Sequence, residues 1–368
     1  MILTYKYKLK GKRAVRQLRA YANACNFVWN FCVKTQKKTQ RDWKSGKNMR
    51  WLSFYDFANL VAGTSKDLNL NAQTIQQICK QFVESRDTFK KCPKKRWAEG
   101  PKKKLGWIPF TNQKLQIKEN SKIYLRNTFR WFGSKSRPLP DVGVKGGAFV
   151  EDSRGFWYVT FHVAVAELPK TGNGVIGIDL GLKTLATLSN GVVIENPKHL
   201  QKSAEKLATA QRAKNKKRTR ALHAKIKNQR QDFLHKASLD LVREYDTIFV
   251  GDVSSSKLAK TKMAKSVLDA GWGTFKALLG YKASRHQVAL KVVDERFSTV
   301  TCSACNARSG PQGQKGLRIR EWVCLACGAS HQRDVNAALN ILATGLGSQP
   351  LVGENSSNIA GIEHDIYR

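Results

Sequence analysis

Val175-Ile176-Gly177-Ile178-Asp179-Leu180-Gly181-Leu182-Lys183-Thr184 is the stretch on which the fold class turns. Val175–Leu180 is an apolar run of strand length that ends on a carboxylate, with glycines on either side that let backbone or phosphate come close. An Asp on a buried strand is costly unless paired or metal-bound. Taken alone, Asp179 also suits a simple turn. Outward from it, Lys183–Leu188 reads as a second strand, and the Ser189-Asn190-Gly191 turn leads into Val192-Val193-Ile194. Leu200 to about Tyr245 contains neither Pro nor Gly and is expected to be one long helical stretch. Thr247–Val250 follows as a strand, Gly273–His286 as a helix and Ala289–Val293 as a strand. Strands alternating with helices predict an α/β layer architecture.

Upstream the grammar differs. Leu3–Leu9 alternates like a short strand, and from Lys12 to Phe89 the apolar spacing is helical, with Leu18, Tyr21, Cys25, Val28 and Cys32 on one face. Cys25, Cys32 and Cys79 then read as buried small hydrophobes. Ile108 to Val165 is rich in aromatic and β-branched residues between Gly and Pro, as in a small antiparallel barrel or sandwich. The run Lys90-Lys91-Cys92-Pro93-Lys94-Lys95-Arg96 suits a solvated loop or a phosphate contact.

The 368 residues hold 65 Lys and Arg against 27 Asp and Glu, a net charge of +38, yet 41% are hydrophobic. Real cores and so large a positive charge together point to a polyanionic partner, nucleic acid above all. No run approaches about 18 apolar residues, which excludes a membrane span, and the first residues lack an export signal. Between Lys202 and Lys236 there are 12 basic and two acidic residues, a local charge of +10. Arg212, Lys214, Lys216, Lys217, Arg218, Arg220 and Arg230 are the candidate phosphate contacts of this segment. Trp29, Trp43, Trp51, Trp97, Trp107 and Trp131 lie among lysines, some as core and some as stacking platforms.

Cys302-Ser303-Ala304-Cys305 and Cys324-Leu325-Ala326-Cys327 are two C-x2-C pairs, each presenting two thiolates on a tight turn. Together they predict a zinc ribbon with a closed, structural four-cysteine site. His331 stands just outside the set. Asp334 opens a helix directly after the ribbon, where it also suits the positive end of the helix dipole. Converging carboxylates are what a two-Mg²⁺ phosphodiester hydrolase needs.

These motifs, with Gln229–Lys236, Asp269-Ala270-Gly271-Trp272-Gly273 and His331–Ala338, resemble the TnpB family of transposon-encoded RNA-guided DNA nucleases. That family is related to Fanzor proteins and type V CRISPR effectors. The resemblance is most specific from Val175 to about Leu342. It implies a RuvC-like (RNase H-type) α/β nuclease domain with an inserted zinc ribbon, and an N-terminal wedge-like β-barrel with a helical recognition insertion. The implied boundaries are a first barrel strand at 1–10, a helical recognition domain at 11–108 and the rest of the barrel at 109–172. The nuclease domain follows at 173–300, the ribbon at 301–330, the last nuclease helix at 331–345 and a disordered tail at 346–368. Carried over by position, Asp179 and Asp334 match the first and third catalytic carboxylates. The second departs from the pattern, because Gly251 stands where the family has glutamate. Glu295 is the expected substitute, as in rearranged members, with Asp252 as the fallback. Trp272 falls in the segment resembling the lid.

The implied activity is Mg²⁺-dependent DNA cleavage beside a short adjacent motif, guided by RNA transcribed from the transposon end. The alternative is an RNA-guided DNA-binding repressor without cleavage, and a strand-joining transposase is a third reading. The expected partners are guide RNA and double-stranded DNA, bound by a monomer in the prokaryotic cytoplasm near the nucleoid.

Overall fold

The computed structural model describes residues 1–44, 51–112, 116–118, 122–125, 127–133, 138–140, 143–253, 260, 264–316 and 318–347. The expected tail from 348 onward lies outside them. The chain divides into two compact units, Met1–Val165 and Ala166–Arg368.

The first unit opens with β1 (Ile2–Lys8), in which Leu3, Tyr5 and Tyr7 turn inward while Lys6 and Lys8 turn out. Helices α1 (Lys12–Lys44), α2 (Phe54–Leu60) and α3 (Ala72–Phe89) follow. Ser53 and Asp56 form a reciprocal capping box at the start of α2. Cys25, Cys32 and Cys79 are buried with Val28, Ile78 and Phe82, so these thiols behave as small hydrophobes. The strands are β2 (Trp107–Thr111), β3 (Gln116–Lys118), β4 (Lys122–Leu125), β5 (Asn127–Arg130), β6 (Val144–Glu151) and β7 (Trp157–Ala164). They form two antiparallel sheets, β1-β7-β6-β2 and β3-β4-β5. Trp131 is core, Trp51 and Trp97 are exposed, and the Trp43 side chain lies outside the described set.

The second unit starts with β8 (Val175–Leu180), β9 (Thr184–Leu188) and β10 (Val193–Glu195). The segment expected as one long helix is three: α4 (His199–Lys202), α5 (Ala204–Arg212) and α6 (Lys216–Glu244). Absence of Pro and Gly did not keep it continuous. Lys214 adopts a left-handed φ of 49°, and the Asn215 side chain accepts the Arg218 amide at 3.0 Å. That local bond competes with helical pairing and restarts the helix.

After β11 (Thr247–Gly251) come α7 (Ala264–Ala270), α8 (Trp272–Arg285) and β12 (Ala289–Val293). The short α9 (Gly313–Gly316), the hairpin β13 (Glu321–Val323) and β14 (Ser330–Gln332), and α10 (Arg333–Leu346) complete it. The sheet order is β10-β9-β8-β11-β12, with β8, β11 and β12 parallel and the β8-β9-β10 meander antiparallel.

Strand alternation sorts the two faces of this sheet. Ile176, Ile178, Ile248 and Val250 join the core formed with Leu234 and Leu241 of α6 and Phe275 and Leu279 of α8. The intervening Gly177, Phe249 and Gly251 face α10. A Cβ at Gly177 would overlap the Ala338 carbonyl, and one at Gly345 would overlap the Phe249 ring. Both glycines therefore let α10 lie close against the strands. Among the described residues, no helix is long and apolar enough to cross a membrane.

Candidate active site and metal centre

Asp179 follows Ile178 on β8, and Gly251 follows Val250 on β11, where Ile178 and Val250 are register partners. The position lacking a side chain is thus the strand neighbour of Asp179. Its space is not empty. A Cβ on Gly251 would overlap Glu295 Oε2 and would sit 3.2 Å from both Glu295 Cβ and Ile341 Cδ1. A carboxylate from the loop after β12 fills the volume that a β11 side chain would otherwise take. Asp252, just past the end of β11, is exposed and accepts the Glu295 amide at 3.4 Å.

Asp334 comes from the first turn of α10. Burial, then the Glu295 and Asp334 carboxylates, push the Asp179 carboxyl up to about 7, against the opposing pull of Arg333 and Arg320. Burial also raises Glu295, helped by Asp252 and opposed by Lys276, whose ammonium donates to the Val253 carbonyl at 2.9 Å. Glu295 Oε2 is buried and has no hydrogen-bond partner among the described residues. An orphaned carboxylate oxygen beside a second crowded carboxyl suits a hard cation. Arg320 reaches both Asp334 oxygens, at 2.8 and 2.9 Å, and holds that carboxylate from the ribbon side.

One pH effect follows. In the metal-free protein the folded Asp179 carboxyl titrates near 7, against 3.8 ordinarily, so the folded state binds the extra proton between those values. Stability should therefore fall as pH rises from about 4 to about 7 and level off above. Thermal melts of the wild type and Asp179→Asn across this range check the sign: only the wild type should show this component, and Mg²⁺ should flatten it.

Cys302, Cys305, Cys324 and Cys327 are, among the described residues, the one set of three or more potential ligands with donor atoms within 4.8 Å of one another. Cys302–Cys327 and Cys305–Cys324 sulfur separations are 3.7 and 3.6 Å. Four sulfurs about 2.3 Å from one ion would be about 3.8 Å apart, so the set fits tetrahedral Zn²⁺. His331 Nε2 lies 3.0 Å from Cys302 Sγ, beside the set, with its ring against Trp322. The Ser309 hydroxyl helps draw the Cys324 thiol down to about 6, favouring the thiolate that metal binding requires.

Trp272 is buried at the Gly271 corner between α7 and α8, and its indole donates to the Gly181 carbonyl at 3.1 Å, just past Asp179. Asp269 accepts the Leu200 amide with both oxygens and lies 3.6 Å from Arg230. Arg230 is therefore turned inward, whereas Arg212, Lys214, Lys216, Lys217, Arg218 and Arg220 are exposed. Arg320, Asn336 and Asn340 escaped the sequence reading. The two asparagines had a signal, being polar residues four apart in the otherwise apolar stretch Val335–Ile341.

The family model for the Cas12f1-like TNB domain matches residues 272–341, and that of OrfB_IS605, described as "Probable transposase", matches residues 158–262. A Streptomyces pristinaespiralis protein named "Putative RNA-guided DNA endonuclease" is 39% identical over 234 residues, which are 59% of this chain and 56% of that protein. The chain thus spans little more than half of that relative. An Escherichia coli K12 protein, "Putative RNA-guided DNA endonuclease InsQ", is 26% identical over 93% of this chain and 92% of its own. The fold resembles the protein in a solved Cas12f1-sgRNA-target DNA complex, with a TM-score of 0.58 at 14% identity, covering 90% of this chain and 83% of that one. These matches fall on the segments that carry Asp179, the four cysteines and Asp334, and over those segments the chain is similar to proteins of the TnpB family.

Proposed function

We propose that this protein is an RNA-guided DNA endonuclease in which Asp179, Glu295 and Asp334 hold a pair of Mg²⁺ ions. When bound, the ions activate water and stabilise the leaving oxygen of the phosphodiester. The observation that carries the reading is the Glu295 carboxylate, filling the space beside Gly251 and pressing electrostatically on Asp179. Asp179 is fixed by the strand ladder and Asp334 by the helix, so two of the three groups sit on rigid elements. Arg320 orients Asp334. The four cysteines hold a structural Zn²⁺ that folds the ribbon.

The exposed cations of α5, α6 and the turn between them suit a guide–target heteroduplex, whose A-form backbone the protein grips while base pairing reads sequence. The antiparallel sheets and helices of the first unit serve as the wedge and recognition parts of this reading. Its lid is the corner that Trp272 fastens to Gly181. Gly251 itself favours the second reading, a guided DNA binder without cleavage. The protein purified with its own RNA, the RNA sequenced, and matching plasmids offered with Mg²⁺ separate the two: guided, Mg²⁺-dependent linearisation is expected, and binding without cutting would leave the repressor reading.

Gly251→Ala offers a sharper probe. The added methyl displaces the flexible end of Glu295 with little change to the fold. Cleavage should fall by about 10²-fold, as for a group misplaced by about 1 Å. The melting temperature should move by only a few degrees, about 1 kcal/mol. Single-turnover cleavage and a thermal melt check both halves.

A further inference from the structure

Glu295 belongs to no strand or helix, so no ladder of backbone bonds sets its position as the sheet sets Asp179. Its loop turns through Phe297 at a left-handed φ of 65°. Within the loop, Ser298 donates its amide to the Glu295 carbonyl at 3.1 Å, and Val300 and Thr301 donate theirs to the Phe297 carbonyl at 2.9 Å. Such a turn rotates as a body unless something outside it holds it.

Two asparagines of α10 do this. Asn336 and Asn340, one helical turn apart, are 1% and 2% exposed. The Asn336 amide donates to the Ser298 and Thr301 carbonyls at 3.2 and 2.8 Å, and the Asn340 amide to the same two at 2.7 Å each. Asn336 Oδ1 accepts the Ser303 amide at 2.9 Å, extending the clamp to the first ribbon knuckle. Buried carboxamides are costly unless satisfied, and here both spend their donors on the same pair of loop carbonyls. The helix that supplies the clamp also supplies Asp334 and packs on β8 beside Asp179.

We infer that Asn336 and Asn340 are positioning residues for the Glu295 carboxylate. Through them α10 sets the second acid as well as the third, and this compensates for a second acid borne on a loop instead of on β11. The inference rests on reading Glu295 as a metal-holding group.

Mn²⁺ binding to the full-length protein with its RNA, followed by electron paramagnetic resonance, tests this without relying on cleavage. Four proteins form a cycle: wild type, Glu295→Gln, Asn340→Ala and the double variant. Asn340→Ala should weaken Mn²⁺ about 10- to 100-fold, the usual loss when the group orienting a ligand is removed. Added to Glu295→Gln, it should weaken binding no further. Zinc content should stay unchanged throughout. Equal losses with and without Glu295, or no loss at all, would overturn the clamp. An unchanged affinity in Glu295→Gln alone would instead overturn the metal-site reading beneath it. If Asn340→Ala sheds its zinc, Asn340→Ser is used in its place. Zinc loss in that variant too would make the residue a ribbon support and overturn the inference.

Discussion

Asp179→Ala is expected to abolish guided DNA cleavage while leaving RNA and target binding within about twofold. Asp179 sits at the end of the central strand β8, facing α10, and both Glu295 and Asp334 act on its charge. Removing it takes away the most rigidly placed member of the carboxylate set. A ligand worth several kcal/mol of transition-state stabilisation corresponds to at least about 10³-fold in rate. The cations proposed to grip nucleic acid lie elsewhere, on exposed turns of α5 and α6, so affinity should not follow activity. Alanine also removes a buried carboxyl whose ionisation burial and the Glu295 and Asp334 charges oppose, so the folded protein should be no less stable above pH 7. Single-turnover cleavage, filter binding and thermal melts on one preparation separate these effects. Cleavage surviving within tenfold would remove Asp179 from the mechanism.

Cys302→Ser carries the second large effect. The apolar core of the ribbon is Cys302, Trp322 and Cys324 with Ala307 packed against them. So few side chains cannot offset the chain entropy of ordering the segment. Under the proposed four-cysteine zinc site its folding would draw on the ion, worth about 10–16 kcal/mol of apparent binding energy at a structural zinc site. The variant should lose its zinc by elemental analysis, and amides of residues 300–332 should lose protection from hydrogen exchange. The five-stranded sheet should keep its protection. Cleavage should fall more than about 10²-fold, because Arg320, which holds Asp334, and Ser303, which meets Asn336, both belong to the ribbon. A zinc-loaded, protected variant would refute the structural role of the ion.

Several parts of this molecule could be read without coordinates. The strand Val175–Leu180 and the strand Ala289–Val293 fall where short apolar runs of strand length place them, since run length and residue type are local properties. The four cysteines were legible for the same reason: two thiolates per tight turn is a constraint within four residues. The continuity of Leu200–Tyr245 was misread, because a single Asn215 side chain bonding its own backbone outweighed the helix preference of its neighbours. The inward turn of Arg230 was also hidden, because its partner Asp269 is 39 residues away and no local pattern links them.

The sequence alone determined which residue types are available: a strand-end aspartate, a strand-end glycine, a helix-start aspartate and a cationic helix. Such choices are written in local spacing and composition. Only the tertiary structure decided that Glu295 occupies the space beside Gly251, that Arg320 Nη1 bridges both Asp334 oxygens, and that two asparagines tie the loop to α10. These are contacts between segments distant in the chain, set by which faces pack when the core closes. Electrostatic energy depends on separation in space, which the order of residues along a chain does not specify.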